Sequence, residues 1–367
     1  MTLSVRLIPY LAAVLSNFLF VGIEAPQAKA EARPGPVQEV RSPWKSGVEK
    51  EVVRRTHRSG EVVEIPVASI TGSKPGPTFA VTAGMHGGEY AGVLAAQKLV
   101  QTVKPDSLSG RLIVVPVIST QAFMMRNMQL SPVDEREVHY LIPGNPEGSY
   151  SEFLLDVLFS IIKEANYVID MHAGEFAQAL FPWVPVPMVG TQKVQDDSRA
   201  IAEGFRVPYL ELRTRRDRIP PYAAFLAEKG IANVWSEIGK NGIPTPEDVA
   251  IQYDGVIAAL QTFGMLPGKP ARPLHKWIGG QRVQIIAEQS GVWHPAVKEG
   301  EIVEKGQFLG ELTDYFGETL ERYTAPFRGM VLYYWSSPAI NHRRRPYGND
   351  WHSGLVSLAS LAEDEER

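Results

Sequence analysis

Two of the eight histidines in this chain are followed three places later by a glutamate: His86 with Glu89, and His172 with Glu175. Imidazole nitrogens and carboxylate oxygens brought together in this way are the donor set of a catalytic zinc site. The spacing alone decides little, because with 41 acidic residues in the chain about one such pair is expected by chance. Cysteine is absent, so thiolate ligation and thiolate catalysis are excluded. Any metal must sit on His, Asp or Glu.

Position carries more than spacing. His86 lies in Gly84-Met85-His86-Gly87-Gly88-Glu89, a glycine-rich turn between the end of a predicted strand and the start of a helix. Glycines let the backbone turn sharply there and leave open space above the imidazole. Two readings are open: a ligand pair reaching one ion, or a helix-start carboxylate favoured by the dipole beside a plain loop histidine. Val168-Ile169-Asp170-Met171-His172 reads as an apolar strand ending in a histidine, with Asp170 on the same face and suited to hold it in position. The alternative is a satisfied core histidine. If the first readings hold, His86, Glu89 and His172 supply two nitrogens and one oxygen to one zinc per chain and leave a fourth position for water. A third element, Ala232-Asn233-Val234-Trp235-Ser236-Glu237, ends in a carboxylate that is either a surface residue or the general base for that water.

Several regular elements must hold these residues. Strands are predicted over 61–67, 78–82, 111–118 and 167–171, with a turn at Pro75-Gly76-Pro77, and helices over 89–100 and 153–163. Alternating strands and helices imply an α/β fold, a mixed central sheet flanked by helices with its ligand site at the carboxyl ends of the strands. After the Pro/Gly cluster 267–273 the pattern changes to short strands and glycine turns, which marks a smaller C-terminal all-β, barrel-like domain. The expected organisation is a signal peptide over 1–30, a linker over 31–45, a hydrolase domain over 46–270 and a β domain over 271–360. Arg6, the apolar run 7–23 and Ala28-Lys29-Ala30 carry the signal-peptide reading. They imply export to the periplasm or beyond, no membrane span in the mature chain, and an anchor only if the signal is uncleaved. A net charge of −4, with Arg343-Arg344-Arg345 the single basic triplet, gives no electrostatic reason to expect a nucleic-acid partner.

Taken in order, the three elements resemble the succinylglutamate desuccinylase/aspartoacylase family, a branch of the zinc carboxypeptidase fold. Its members carry Gly-x-His-Gly-x-Glu, then Asp-x-His, then Glu-x-Gly. The resemblance spans about residues 60 to 355 and includes Gly76-Pro77-Thr78, Pro143-Gly144-Asn145-Pro146 and Ser337-Pro338-Ala339-Ile340-Asn341. It implies zinc on His86, Glu89 and His172, Glu237 as base, and Arg126 as the group that polarises the scissile carbonyl.

One departure concerns the substrate. Where the family reads Asp-Leu-Asn-Arg before Pro-Gly, this chain reads Glu137-Val138-His139-Tyr140. His139 and Tyr140 are then the substrate-contacting residues, and neither reproduces an arginine fork. A free carboxylate on the substrate is expected to gain little, unless Arg136 folds back to substitute. The segment around Pro295-Ala296-Val297 resembles a biotinyl or lipoyl carrier barrel, but its tip, Asp314-Tyr315-Phe316-Gly317-Glu318, lacks the lysine that a carrier needs. The expected activity is therefore zinc-dependent hydrolysis of the amide of a small acylated substrate. The runner-up is an exported metallopeptidase-like enzyme acting on peptides or cell-wall fragments.

Overall fold

Residues 45–216, 219–342 and 354–361 are described by the computed structural model. The signal-peptide segment 1–30, nearly all of the linker stretch and the basic triplet 343–345 lie outside the described residues.

The first half holds β1 (Gly47–Thr56), β2 (Val62–Thr71), β3 (Lys74–Ala83), α1 (Tyr90–Thr102), β4 (Ser109–Val115), α2 (Thr120–Met125), α3 (Tyr150–Ile162) and β5 (Tyr167–His172). It continues through β6 (Gln178–Leu180), β7 (Trp183–Pro187), α4 (Gln192–Ala202), β8 (Tyr209–Arg213), α5 (Pro221–Glu228), β9 (Ala232–Glu237) and α6 (Pro246–Thr262). Strands alone follow: β10 (Lys276–Ile286), β11 (Gly291–Pro295), β12 (Ile302–Val303), β13 (Phe308–Thr313), β14 (Thr319–Thr324), β15 (Gly329–Trp335), β16 (Ala339–Ile340) and β17 (Gly354–Leu361). The expected mixed α/β sheet and the change to all-β after the Pro/Gly cluster are both present. The predicted turn at Pro75–Pro77 is not: those residues belong to β3, where the pairing with β4 shifts register between Lys74 and Thr78.

The main sheet runs in the order β1-β2-β4-β3-β5-β9-β7-β8-β10-β17-β15-β12. Its centre is parallel, β4 with β3, β3 with β5, and β5 with β9, so the carboxyl ends of β3, β5 and β9 lie side by side. Parallel pairing of β8 with β10 carries the same sheet across residue 270 into the C-terminal strands. A second sheet, β14-β13-β11-β16, completes that region.

Alternation along β5 shows why the sheet needs helices on both faces. Val168 packs with Leu154 and Leu158 of α3 and Tyr222 and Leu226 of α5, whereas Ile169 and Met171 pack with Val93 and Leu99 of α1 and Val256 and Leu260 of α6. Each such side chain, once fully buried, contributes roughly 1.5–3 kcal/mol. By the same period of two, Asp170 and His172 face the α3/α5 side with Val168. The helix α3 starts at a capping box in which the Ser149 hydroxyl accepts from the Glu152 N–H and the Glu152 carboxylate accepts from the Ser149 N–H. Arg136 pairs with that Glu152 at 3.1 Å, which draws it into the structure around the cap.

Candidate active site

The loop after β3 delivers the first ligand pair. Gly84 sits at φ +64°, a conformation that costs other residues, and a Cβ on Gly87 would stand 2.2 Å from the Ala122 carbonyl. The loop can therefore lie flat against α2, with His86 inward. Glu89 immediately precedes α1 without capping it through its side chain, so its carboxylate is available to the imidazoles.

His86, Glu89 and His172 are all buried, and their donor atoms lie within 4.8 Å of one another. Glu89 Oε1 is 2.8 Å from His86 Nδ1, and Oε2 is 3.0 Å from His172 Nδ1. The second approach lacks hydrogen-bond alignment, and Glu89 Oε2 has no hydrogen-bond partner among the described residues. Each Nε2 has a carboxylate of its own: Glu137 Oε1 at 3.0 Å for His86 and Asp170 Oδ2 at 2.9 Å for His172. Asp170 is itself held by the Thr82 hydroxyl, which donates to Oδ1 at 2.6 Å.

These partners fix the proton count. An Nε2–H that donates to Glu137 or Asp170 leaves an Nδ1 lone pair aimed at Glu89, which is itself an acceptor. Acceptors facing acceptors in a buried space need a cation or extra protons between them. Burial alone would lower the two histidine pKa values, but Glu89 and Glu137 beside His86, and Glu89 and Asp170 beside His172, outweigh it and raise both well above the ordinary range. The same imidazoles hold Glu89 down at about 2 against its own burial. Two nitrogens and one carboxylate with oriented outer partners therefore fit a divalent metal that takes the place of those protons.

The other expected residues divide. Glu237, at the end of β9 and paired in register with His172, lines the cavity beside the ligands, and burial pushes its carboxyl up to about 8. His139 and Tyr140, on a short 3-10 turn, line it as well. Burial, followed by the positive charge of His172, lowers His139 to about 4, so it is neutral, and its Nε2, 4.0 Å from Asp170 Oδ2, has no hydrogen-bond partner among the described residues. His139, Asp170 and His172 form a second ligand-like group. It overlaps the first, because it would draw Asp170 and His172 Nε2 away from each other.

Arg126 is not brought to the cavity wall in this structure. It caps α2 at φ +54° with its N–H bonded back to Ala122 and Phe123, and its side chain is exposed and absent from the cavity wall. Gln129, three residues later, lines the cavity. Glu175, the other glutamate of the opening pattern, is fully buried off the cavity, where its Oε1 accepts from the Gln129 N–H.

Sequence reasoning missed Glu137, although it occupies the place of the aspartate in the family's Asp-Leu-Asn-Arg stretch. It also missed Arg213, Arg282, Tyr333, Trp183 and Trp235, which line the cavity from β8, β10, β15, β7 and β9. The cavity measures about 330 Å³, at the small end of ligand sites.

Relatives carry the same arrangement of strands and helices. The chain is 27% identical over 257 residues to the N-alpha-acetyl-L-2,4-diaminobutyric acid deacetylase of Halomonas elongata, covering 69% of this chain and 75% of that one. Among solved structures, the succinylglutamate desuccinylase/aspartoacylase of Rhodobacter sphaeroides superposes with a TM-score of 0.74 at 23% identity, over 87% of this chain and 97% of that one. The product-bound ectoine utilization protein EutE of Ruegeria pomeroyi gives 0.75 at 23% identity, over 88% and 97%. Residues 75–263, more than half of the chain and the span that contains His86, Glu89, His172 and Glu237, match the succinylglutamate desuccinylase/aspartoacylase catalytic domain. The chain belongs to the succinylglutamate desuccinylase/aspartoacylase family.

Proposed function

We propose that this protein is a zinc-dependent deacylase that hydrolyses the amide of a small N-acylated compound. The observation that carries the reading is the convergence of His86 Nδ1, His172 Nδ1 and Glu89 beside Glu237 in one cavity of about 330 Å³. That volume suits a small acylated compound better than a folded or extended peptide. Zinc held by His86, Glu89 and His172 would supply Lewis acidity and make water acidic enough to react near neutral pH.

The chain's own residues do the rest. Glu137 and Asp170 keep the imidazoles in the tautomer that offers Nδ1, and Thr82 fixes Asp170. Glu237 takes the proton of the attacking water on its carboxylate and returns it to the leaving nitrogen. Burial pushes this carboxyl up to about 8 in the metal-free site, which suits it to give a proton to the leaving nitrogen, and the charge of a bound metal would draw it back toward the carboxylate that accepts one. The neutral His139 and the rings of Trp183 and Trp235 close the wall around the reacting amide.

The test is metal content and hydrolysis measured together. Purified protein should hold one zinc per chain and release acetate from N-acetylated amino acids, including N-acetyl-2,4-diaminobutyrate, the class named for the Halomonas relative. His172→Ala should lose both. A His172→Ala protein that keeps stoichiometric zinc would move the metal site elsewhere. Export belongs to the same proposal and rests on Arg6, the apolar run 7–23 and the small-x-small triplet 28–30. N-terminal sequencing of protein from the exported fraction should begin near Glu31, and a chain found only in the cytosol with Met1 intact would overturn it.

A further inference from the structure

The main sheet begins at an open edge. β1 is the first strand of its order and pairs with β2 from Gly47↔Thr71 to Thr56↔Val62. Its other edge meets no strand among the described residues, and from Val48 to Thr56 every residue but Val53 is exposed. A long unpaired edge is a template for another strand, and proteins commonly blunt it with proline, a bulge or a very short strand. β1 is ten residues long, contains no proline and pairs with β2 without a register shift. Its remaining defence is charge, in Glu49, Lys50, Glu51, Arg54 and Arg55, and charge repels only a strand whose own charges oppose it.

The two faces of β1 differ. Glu49, Glu51, Val53 and Arg55 share one face, on which Val53 packs against the cluster of Val63, Ile65 and Leu154. Val48 and Val52 share the other, 43% and 40% exposed, with Val52 beside Pro66, Val100 and Pro116 at a groove of about 440 Å³. Arg54 is held within the chain by Glu64 at 2.6 Å. Arg55 donates to the Arg54 carbonyl at 2.8 Å, and neither it nor Glu51 is in an ion pair among the described residues.

The charge pattern fits a second copy of the same strand. Two copies related by a two-fold axis normal to the sheet pair antiparallel with like faces together, so the axis passes through one residue position. Four positions, 50 to 53, would pair seven or more residues of this ten-residue strand. An axis at Lys50 or Glu51 sets that charge against itself, and one at Val52 sets Lys50 against Arg54 twice. An axis at Val53 opposes no like charges: Glu51 meets Arg55 twice, Val53 meets Val53, Lys50 meets Thr56 and Val52 meets Arg54.

We propose that β1 is the contact through which two copies of this chain form a two-fold dimer, paired antiparallel about Val53 so that their main sheets join into one. Opposite charges and apolar pairs across the strands stabilise such pairing. The two Val53 side chains extend the apolar cluster across the axis, and the stem of Arg54 covers Val52 of the other copy. The strands β2 and β4 separate β1 from β3, so the contact does not depend on what the cavity binds.

Sedimentation equilibrium of the purified protein over a range of concentrations tests this. Wild type should reach twice the mass of one chain. Glu51→Arg opposes two arginines at both contacts and Arg55→Glu opposes two glutamates, so each alone should weaken the dimer about ten-fold or more. The double variant Glu51→Arg/Arg55→Glu restores opposite charges and should dimerise like wild type. Mixing the two single variants should give a heterodimer for the same reason, and since unfolded chains would not recover on mixing, this arm separates a lost contact from a lost fold. A wild type that stays monomeric at every concentration, a dimer indifferent to both single substitutions, or single variants that remain apart when mixed would each overturn the contact.

Discussion

The two walls of the cavity obey different rules. On the histidine wall, three carboxylates, Glu89, Glu137 and Asp170, surround two imidazoles, and every polar contact points toward a cation. On the opposite wall two guanidiniums share Glu211. The first wall comes from two short motifs, each local in sequence, at the ends of β3 and β5, joined by one turn carrying Glu137. The second is assembled from β8, β10 and β15, which meet only because the sheet continues past residue 270. A reaction centre can thus be built from short motifs, whereas the wall that faces it is spread across the fold.

Glu237 stands beside the histidine wall, and replacing it should have the largest effect. Glu237→Gln keeps the shape but cannot accept a proton, so turnover should fall by about 10²–10⁴-fold while zinc content stays at wild-type level. Steady-state kinetics with metal analysis on the same samples checks this. Near-normal turnover would place the proton carrier elsewhere and blur the division between the walls.

A smaller effect is expected one step back from the metal. Glu137→Gln removes the charge that holds His86 Nε2 at 3.0 Å, and loss of such a partner lowers metal affinity or activity by about 10–100-fold. Competition with a chelator of known affinity measures it. Equal zinc affinity in mutant and wild type would show that the histidine wall does not depend on its outer carboxylates.

The smallest effect tests a carboxyl outside both walls. Burial pushes Glu175 up to about 8, from an ordinary value near 4.5. Its folded pKa is raised, so its contribution to stability is complete below about 4.5 and is lost as pH rises toward 8, because the unfolded chain gives up the proton first. Glu175→Gln does not titrate. In metal-free protein the melting temperature of Glu175→Gln, relative to wild type, should therefore climb between pH 5 and pH 8, with turnover of the zinc-loaded enzyme little changed. A flat difference across that range would mean that Glu175 ionises freely and belongs with the charged histidine wall after all.

The strands under the site were legible because apolar residues recur with a period of two and end abruptly in His172 and Glu237. The helix after Glu89 was legible from its apolar spacing, and α1 begins one residue later than expected. The element that failed was the Pro75–Pro77 turn, where β3 runs on through a register shift: pairing with β4 at Lys74 and again from Thr78 keeps the stretch extended and leaves it as an irregularity within the strand. Arg126 could not be placed from sequence: its backbone ends α2 in the left-handed region and its side chain is exposed, neither of which its neighbours in the chain foretell.

By itself the sequence determined the chemistry: which donors exist, that no thiolate is among them, and that His86, Glu89, His172 and Glu237 fall at strand ends, where one sheet must gather them. The choice of what faces that chemistry was made only by the tertiary structure. Arg213 and Arg282 are 69 positions apart, and nothing local marks either as a partner of the other. They meet because β10 adds to the edge of β8 and both lean on one buried glutamate. Hydrophobic periodicity is a property of neighbouring residues, whereas the pairing of two distant strands depends on the free energy of the whole sheet.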